Sequence, residues 1–166
     1  LPGPSHQALA ELDTRLKAGI ALISQNVDGL HRRAGSPDAR SFYVHGDIAW
    51  MRASVGADGQ LAERRRRLSA EDLITLHRVP AALVERRLDA METLGHSGRE
   101  AALAIEDDEW DALMLPDGLG VARPHVLWFD ESYDDRLFRS DQALAQAADA
   151  DLMLVGEQPG DREDLA

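Results

Sequence analysis

The sequence predicts an α/β fold: an incomplete parallel sheet flanked by helices and interrupted by a helical insertion. Three observations carry that expectation. The apolar run Ile20 to Ser24 follows an amphipathic helical pattern, the apolar run Asp151 to Gly156 follows an alanine-rich one, and Val126 to Phe129 supplies a third apolar run between them. Strands that alternate with helices need crossover connections, and crossovers give parallel pairs.

Taken in order, residues 4 to 18 place Leu9, Leu12 and Leu16 at helical spacing with Glu11, Asp13 and Lys17 between them, and Gly19 ends the pattern. Ile20 to Ser24 reads as a buried strand running directly into Gln25, Asn26, Val27 and Asp28. Polar groups therefore gather at the carboxyl end of a strand, where open α/β sheets bind ligands. Asp141 to Ala150 is a helix, and Asp151 to Gly156 is a second buried strand ending in glycine.

Residues 53–118 differ in composition, being rich in arginine, glutamate and alanine. Ser69, Ala70, Glu71 and Asp72 form an N-cap signature ahead of Leu73, Ile74 and Leu76. Pro80 suits the first turn of another helix, with Leu83, Val84 and Leu88 at helical spacing behind it. Residues 1–52 and 119–166 thus read as the sheet-bearing core, and residues 53–118 as an insertion resting on helix packing. The run Arg64 to Arg67 reads as a solvated helix face; a nucleic-acid patch is the alternative.

Composition narrows the function classes. With 44% hydrophobic residues in 166, the chain has enough apolar surface for one ordinary core. A net charge of −12 and a pI near 4.8 repel nucleic acid and anionic membrane surfaces and suit a basic peptide. No run approaches the roughly 18 apolar residues a membrane span needs, and the first residues lack the features of a signal peptide, so the cytoplasm is the expected location. With no cysteine, disulfides and thiolate zinc cages are excluded.

Two constellations carry chemistry. The imidazole of His45 is a candidate general base that can take a proton from a sugar hydroxyl, although a lone histidine in an unfamiliar chain is more often structural. Gln25, Asn26 and Asp28 can direct hydrogen bonds at ribose hydroxyls and a carboxamide, or they can be an Asp-Gly turn that caps the following helix.

The stretch Ser24-Gln25-Asn26-Val27-Asp28-Gly29-Leu30-His31, the later Val44-His45-Gly46 and the segment Arg123-Pro124-His125-Val126-Leu127-Trp128-Phe129-Asp130-Glu131 occur in the order of one family's motifs. The entry segment Pro4-Ser5-His6-Gln7-Ala8-Leu9 matches as well. In these residues the chain resembles the sirtuins, the NAD-dependent protein-lysine deacylases. The resemblance implies a Rossmann-like core, NAD as cofactor and an acyl-lysine protein or peptide as partner.

It implies residue roles as well. His45 would be the base that deprotonates the NAD ribose, Asn26 would position the ribose and the attacking water, Val27 and Asp28 would contact the nicotinamide carboxamide, and Gln25 would bind the cofactor beside them. Gly156 would stand in the family's G-T-S segment, here Gly156-Glu157-Gln158. Leu127, Phe129 and Glu131 would lie on a strand that clamps an extended substrate peptide, with Asp130 replacing the family's glycine. Val126 to Phe129 can equally be a plain core strand, and His31 can be structural or functional.

Two departures temper the implied activity. Family spacing places the zinc cysteines at Ala53, Gly56, Leu115 and Gly118, so no zinc is expected, and His77 and His96 without a thiolate pair do not replace it. The glycine-rich phosphate turn G-A-G-x-S and the D-F-R loop lie upstream of the matched segments in the family and are not in this sequence. The expectation is a deacylase domain that is impaired as this chain, with an inactive peptide- or partner-binding module as the alternative. The polar tail Glu157 to Asp164 is also compatible with a fragment whose missing strand comes from elsewhere.

Overall fold

The computed structural model describes residues 1–53, 69–86, 107–115 and 120–156. Helix α1 spans Pro4–Arg15, with Pro4 in the first turn where a missing N–H costs nothing, and it ends at Leu16, whose N–H bonds Leu12 O at 3.1 Å. Its buried line is His6, Ala10 and Asp13, whereas Leu12 and Leu16 are exposed. The leucine stripe therefore does not mark the packed face. Asp13 explains the difference: its carboxylate accepts from the Ile20 N–H at 2.7 Å and from Arg40 at 2.7 Å, tying the helix to the first strand and to the turn before the second.

Strand β1 (Leu22–Ser24) pairs in parallel with β2 (Ser41–Tyr43), with Ser24 opposite Tyr43. The connection between them holds helix α2 (Leu30–Arg33) and a 3-10 turn at Asp38–Arg40. This is the helix-crossover unit the sequence predicts. The larger sheet was not anticipated. It is antiparallel, in the order β4-β3-β6-β5, where β3 is Gly46–Ala53, β4 His77–Arg78, β5 Met114–Leu115 and β6 Gly120–Val126.

Three expectations are corrected by this sheet. The strand near the third motif is Gly120–Val126 rather than Val126 to Phe129, and it runs antiparallel to β3, because residues just after the β2–β3 bend pair back along it. The insertion is not purely helical: beside α3 (Ala70–Ile74), a helix at residues 81–86 and α4 (Asp107–Ala112), it contributes β4 and β5 to the sheet edges. Asp151 to Gly156 forms no strand, and Leu152, Leu154 and Val155 are each at least three-quarters exposed. A strand needs a hydrogen-bonding neighbour, and none of the described residues offers this segment one.

Other local readings stand. Ser69 Oγ accepts from Asp72 N–H at 3.1 Å while Asp72 Oδ2 accepts from Ser69 N–H at 2.7 Å, a reciprocal cap on α3. The N–H groups of Leu83 and Val84 bond Pro80 O, so the proline opens its helix, and Leu83 is buried. The alanine-rich helix is α6 (Ser140–Ala148), preceded by the short α5 (Asp135–Phe138). Arg139 joins the two in the left-handed conformation (φ 52°), aims its guanidinium at the carbonyls of Asp38, Ala39 and Ser41, and stacks it 4.3 Å over Phe42.

Ala53 and Leu115, at two of the positions where the resemblance would place cysteine, are 2% and 3% exposed and sit in paired strands as core residues. Gly56, Gly118, His96, Leu88 and the run Arg64 to Arg67 lie outside the described residues. Among the described residues no group of three or more His, Asp or Glu side chains converges as a metal cage, and no helix is long and apolar enough to cross a membrane.

Candidate functional site

The parallel pair β1–β2 brings two loops to one sheet edge. Because Ser24 lies opposite Tyr43, Gln25 to Asp28 leave β1 beside the point where Val44 and His45 leave β2. Two backbone bonds stitch the loops together, Val44 N–H to Ser24 O at 3.0 Å and Ile48 N–H to Val27 O at 2.9 Å. The Asn26 N–H donates to Ser24 Oγ at 3.1 Å, which fixes the first bend of the loop.

His45 sits on this edge with both ring nitrogens engaged. Nδ1 is 3.1 Å from the backbone carbonyl of Gln25, and Nε2 is 2.9 Å from the hydroxyl of Tyr133. A carbonyl only accepts, so Nδ1 carries a proton, and in the neutral ring Nε2 keeps the lone pair and accepts from the tyrosine O–H. The neutral imidazole is thereby held in the tautomer whose basic nitrogen faces the Tyr133 hydroxyl. Tyr133 lies 88 positions along the chain from His45, and no spacing pattern in the sequence points to it.

Asp28 serves the turn. Its Oδ1 accepts from the Leu30 N–H at 2.9 Å, ahead of Gly29 in the left-handed conformation (φ 67°) at the start of α2. The capping reading of Asp28 is therefore realised, and it places the carboxylate within the same loop as Asn26. Beneath the loop, buried Asp47 accepts from Arg32 Nη1 and from the Ala49 N–H at 2.8 Å, while Arg32 Nε bonds Asp38 at 2.5 Å. This network clamps α2 to the start of β3. An aspartate directly after His45-Gly46 is the signal that could have flagged it.

His31 packs inward, its ring centroid 4.5 Å from that of His6. Burial, then the neighbouring His6, lowers its pKa, and its Nδ1 is a buried atom with no hydrogen-bond partner. That environment favours the structural role for His31.

Leu127, Phe129 and Glu131, the residues expected to clamp a peptide, follow the end of β6. Leu127 N–H donates to His45 O at 2.9 Å, so it continues the β3–β6 pairing and this N–H is not available to a second chain. Trp128 to Glu131 then form a tight turn, with Glu131 N–H to Trp128 O and Trp128 N–H to Glu131 Oε2 both at 3.0 Å, and Phe129 is fully exposed at its tip. Glu131 is an ion-pair centre: Oε1 accepts from Arg52 at 2.8 Å and from Arg123. Burial alone would raise its carboxyl, but the Trp128 N–H and the Arg52 and Arg123 guanidiniums outweigh it and hold it below the ordinary value. No described atom lies within 4 Å of the position a Cβ on Gly156 would occupy.

Behind His45-Gly46 lies a cavity of about 220 Å³, lined among others by Tyr43, Asp47, Trp50 and His125. His125 is buried, stacks on Phe138 at 4.9 Å, and bonds the Leu137 carbonyl through Nε2 at 3.1 Å. Burial first, then Arg52, lowers its pKa from 6.5 to about 4. Between those values the unfolded chain binds a proton at His125 that the folded chain does not, so stability falls as pH drops from 6.5 towards 4. The expected loss from this group is about 3 kcal/mol over that range. Urea unfolding at several pH values should show it, and His125→Gln should flatten the slope; an unchanged slope in that variant would contradict the assignment.

A model for the Sir2 family matches residues 1–157. The chain belongs to the Sir2 family. Among Sir2 relatives, it is 30% identical over 153 residues to NAD-dependent protein deacylase 1 of Pseudomonas aeruginosa, covering 92% of this chain and 46% of that protein. It is 26% identical over 162 residues to the mitochondrial NAD-dependent protein deacylase sirtuin-5 of Danio rerio, covering 93% of this chain and 45% of that one. A solved complex of a Sir2 homologue mutant with ADP-ribose aligns at 26% identity and a TM-score of 0.46, covering 90% of this chain and 42% of that one. The chain spans about half the length of the Sir2 relatives it matches.

Proposed function

We propose that this chain carries the base and ribose-binding edge of an NAD-dependent protein-lysine deacylase, and that its turnover is low when the 166 residues act alone. The observation that carries the reading is the His45 imidazole, held by the Gln25 carbonyl so that Nε2 is its basic atom, on the same edge as Asn26 and Asp28. The donor set fits the ribose and carboxamide end of NAD: a carboxylate, two amides and backbone groups that hydrogen-bond hydroxyls and an amide without demanding a metal. Family relatives named as NAD-dependent protein deacylases support it.

In this reading Asn26 orients the ribose, Val27 and Asp28 contact the carboxamide, Gln25 belongs to the same cofactor-binding loop, and His45 accepts a proton at Nε2 from a ribose hydroxyl placed there. NAD, when bound, supplies the ADP-ribosyl group that takes up the acyl group. The substrate is an acyl-lysine in a protein or peptide; a basic segment suits the net charge of −12, and nucleic acid and anionic membranes do not. A cytoplasmic location and the absence of a bound zinc go with it.

An inactive module that binds a peptide or partner protein is the second reading, favoured by the exposed Phe129 and Leu152 to Val155. Release of nicotinamide from NAD in the presence of an acyl-lysine peptide separates the two. Slow release that falls by about 100-fold or more in His45→Ala is expected. No release from either form supports the binding module, and release that survives the substitution removes His45 as the base.

A further inference from the structure

Tyr133 has no place in the family motifs that led to His45, yet its hydroxyl is what meets the basic nitrogen. The tyrosine lies between β6 and α5, outside any helix or strand. Its ring rests edge-on against Phe138, at 6.3 Å between centroids, and Phe138 is 2% exposed. The tyrosine itself is half exposed. One end of the side chain is thus braced on the core while the hydroxyl end faces solvent and the His45 edge. Rotation about χ1 can withdraw the hydroxyl without opening the core, because Phe138 is packed independently against His125 and Arg52.

The roles at this contact are fixed by the Gln25 carbonyl. With Nδ1 donating to it, Nε2 of the neutral ring accepts, and the group donating to it is the Tyr133 O–H. A base whose lone pair is occupied must exchange that partner for the hydroxyl it is to deprotonate, and both partners are oxygen donors of the same kind. We propose that Tyr133 is a placeholder for the sugar hydroxyl: in the unliganded chain it occupies His45 Nε2 and keeps the ring aligned, and a ligand hydroxyl enters by displacing it. Tyr133 is a positioning residue acting through His45. This inference rests on the reading of His45 as the base.

The test uses the whole chain and Tyr133→Phe, which keeps the ring on Phe138 and removes only the hydroxyl. Diethyl pyrocarbonate acylates the unprotonated nitrogen of an accessible imidazole, so the rate at His45, followed by peptide mass spectrometry, reports how often Nε2 is free. A partly exposed neutral hydrogen bond corresponds to roughly a 2- to 10-fold gain in that rate for Tyr133→Phe. Buried His125 should stay protected in both forms. An unchanged rate at His45 overturns the proposal, and a rise shared by His125 overturns it too, because Tyr133 would then be supporting the fold rather than covering Nε2.

A second arm titrates both forms with ADP-ribose. Affinity should rise by a similar roughly 2- to 10-fold in Tyr133→Phe. Faster carbethoxylation with equal affinity overturns the exchange alone. No binding to either form overturns the assignment of His45 to a ribose site, and the exchange with it.

Discussion

Gly46→Ala is expected to destabilise the chain by about 3–5 kcal/mol, among the largest effects a single methyl group can produce. Gly46 has φ +96°, a region that side chains other than glycine's avoid, and it opens β3 opposite Val126. A Cβ there would lie 2.0 Å from the carbonyl oxygen of His125 and 2.9 Å from its carbonyl carbon. These are backbone atoms of the paired strand, so relief requires β3 and β6 to separate at the point where His45 leaves the sheet. Gly35 is the natural control: its φ is +102°, and nothing lies within 4 Å of the added atom. Gly35→Ala should lose only the conformational cost, about 1–2 kcal/mol. Urea unfolding of the two variants separates strain from collision, and equal losses would contradict the close approach of the strands.

Glu131→Ala is expected to cost about 3–5 kcal/mol, the range for leaving buried charge without its counter-ion. Arg52 and Arg123 are 7% and 8% exposed, and the single carboxylate serves both. Burial first, then Arg52, lowers the pKa of Arg123, so the two guanidiniums already disfavour each other. Without Glu131 only the more distant carboxylates such as Asp130 offset that repulsion. The carboxylate also accepts the Trp128 N–H, so the turn carrying Phe129 and leading to Tyr133 should loosen with it. Glu131→Gln keeps an acceptor and loses the charge, and should fall between wild type and alanine. Little change in unfolding midpoint for Glu131→Ala would return this residue to the peptide-contact role its motif suggests.

The contrast between these residues shows what a linear reading could reach. The meeting of Gln25 to Asp28 with His45 at one edge was legible because a short crossover joins two parallel strands and the polar residues sit directly at their carboxyl ends. The antiparallel sheet was not legible. Gly46–Ala53 mixes isoleucine and methionine with aspartate and arginine, and its partner Gly120–Val126 begins 67 positions after Ala53, where nothing in the spacing announces a pair. Asp151 to Gly156 was misread in the opposite sense: its apolar run has strand composition, but composition supplies no neighbour. Glu131 was legible as a motif residue and not as an ion-pair centre, since its partners lie 79 and 8 positions away on two different strands.

The central claim is that the edge formed by Gln25, Asn26, Asp28 and His45 recognises the ribose of NAD. The most direct measurement is a titration with ADP-ribose followed by the ring resonances of the histidines and the side-chain amide of Asn26, because it registers binding too weak to sustain turnover. The account predicts saturable shifts at His45 and Asn26, with His77 and buried His125 unmoved. Binding that shifts other resonances while leaving His45 and Asn26 in place would contradict it.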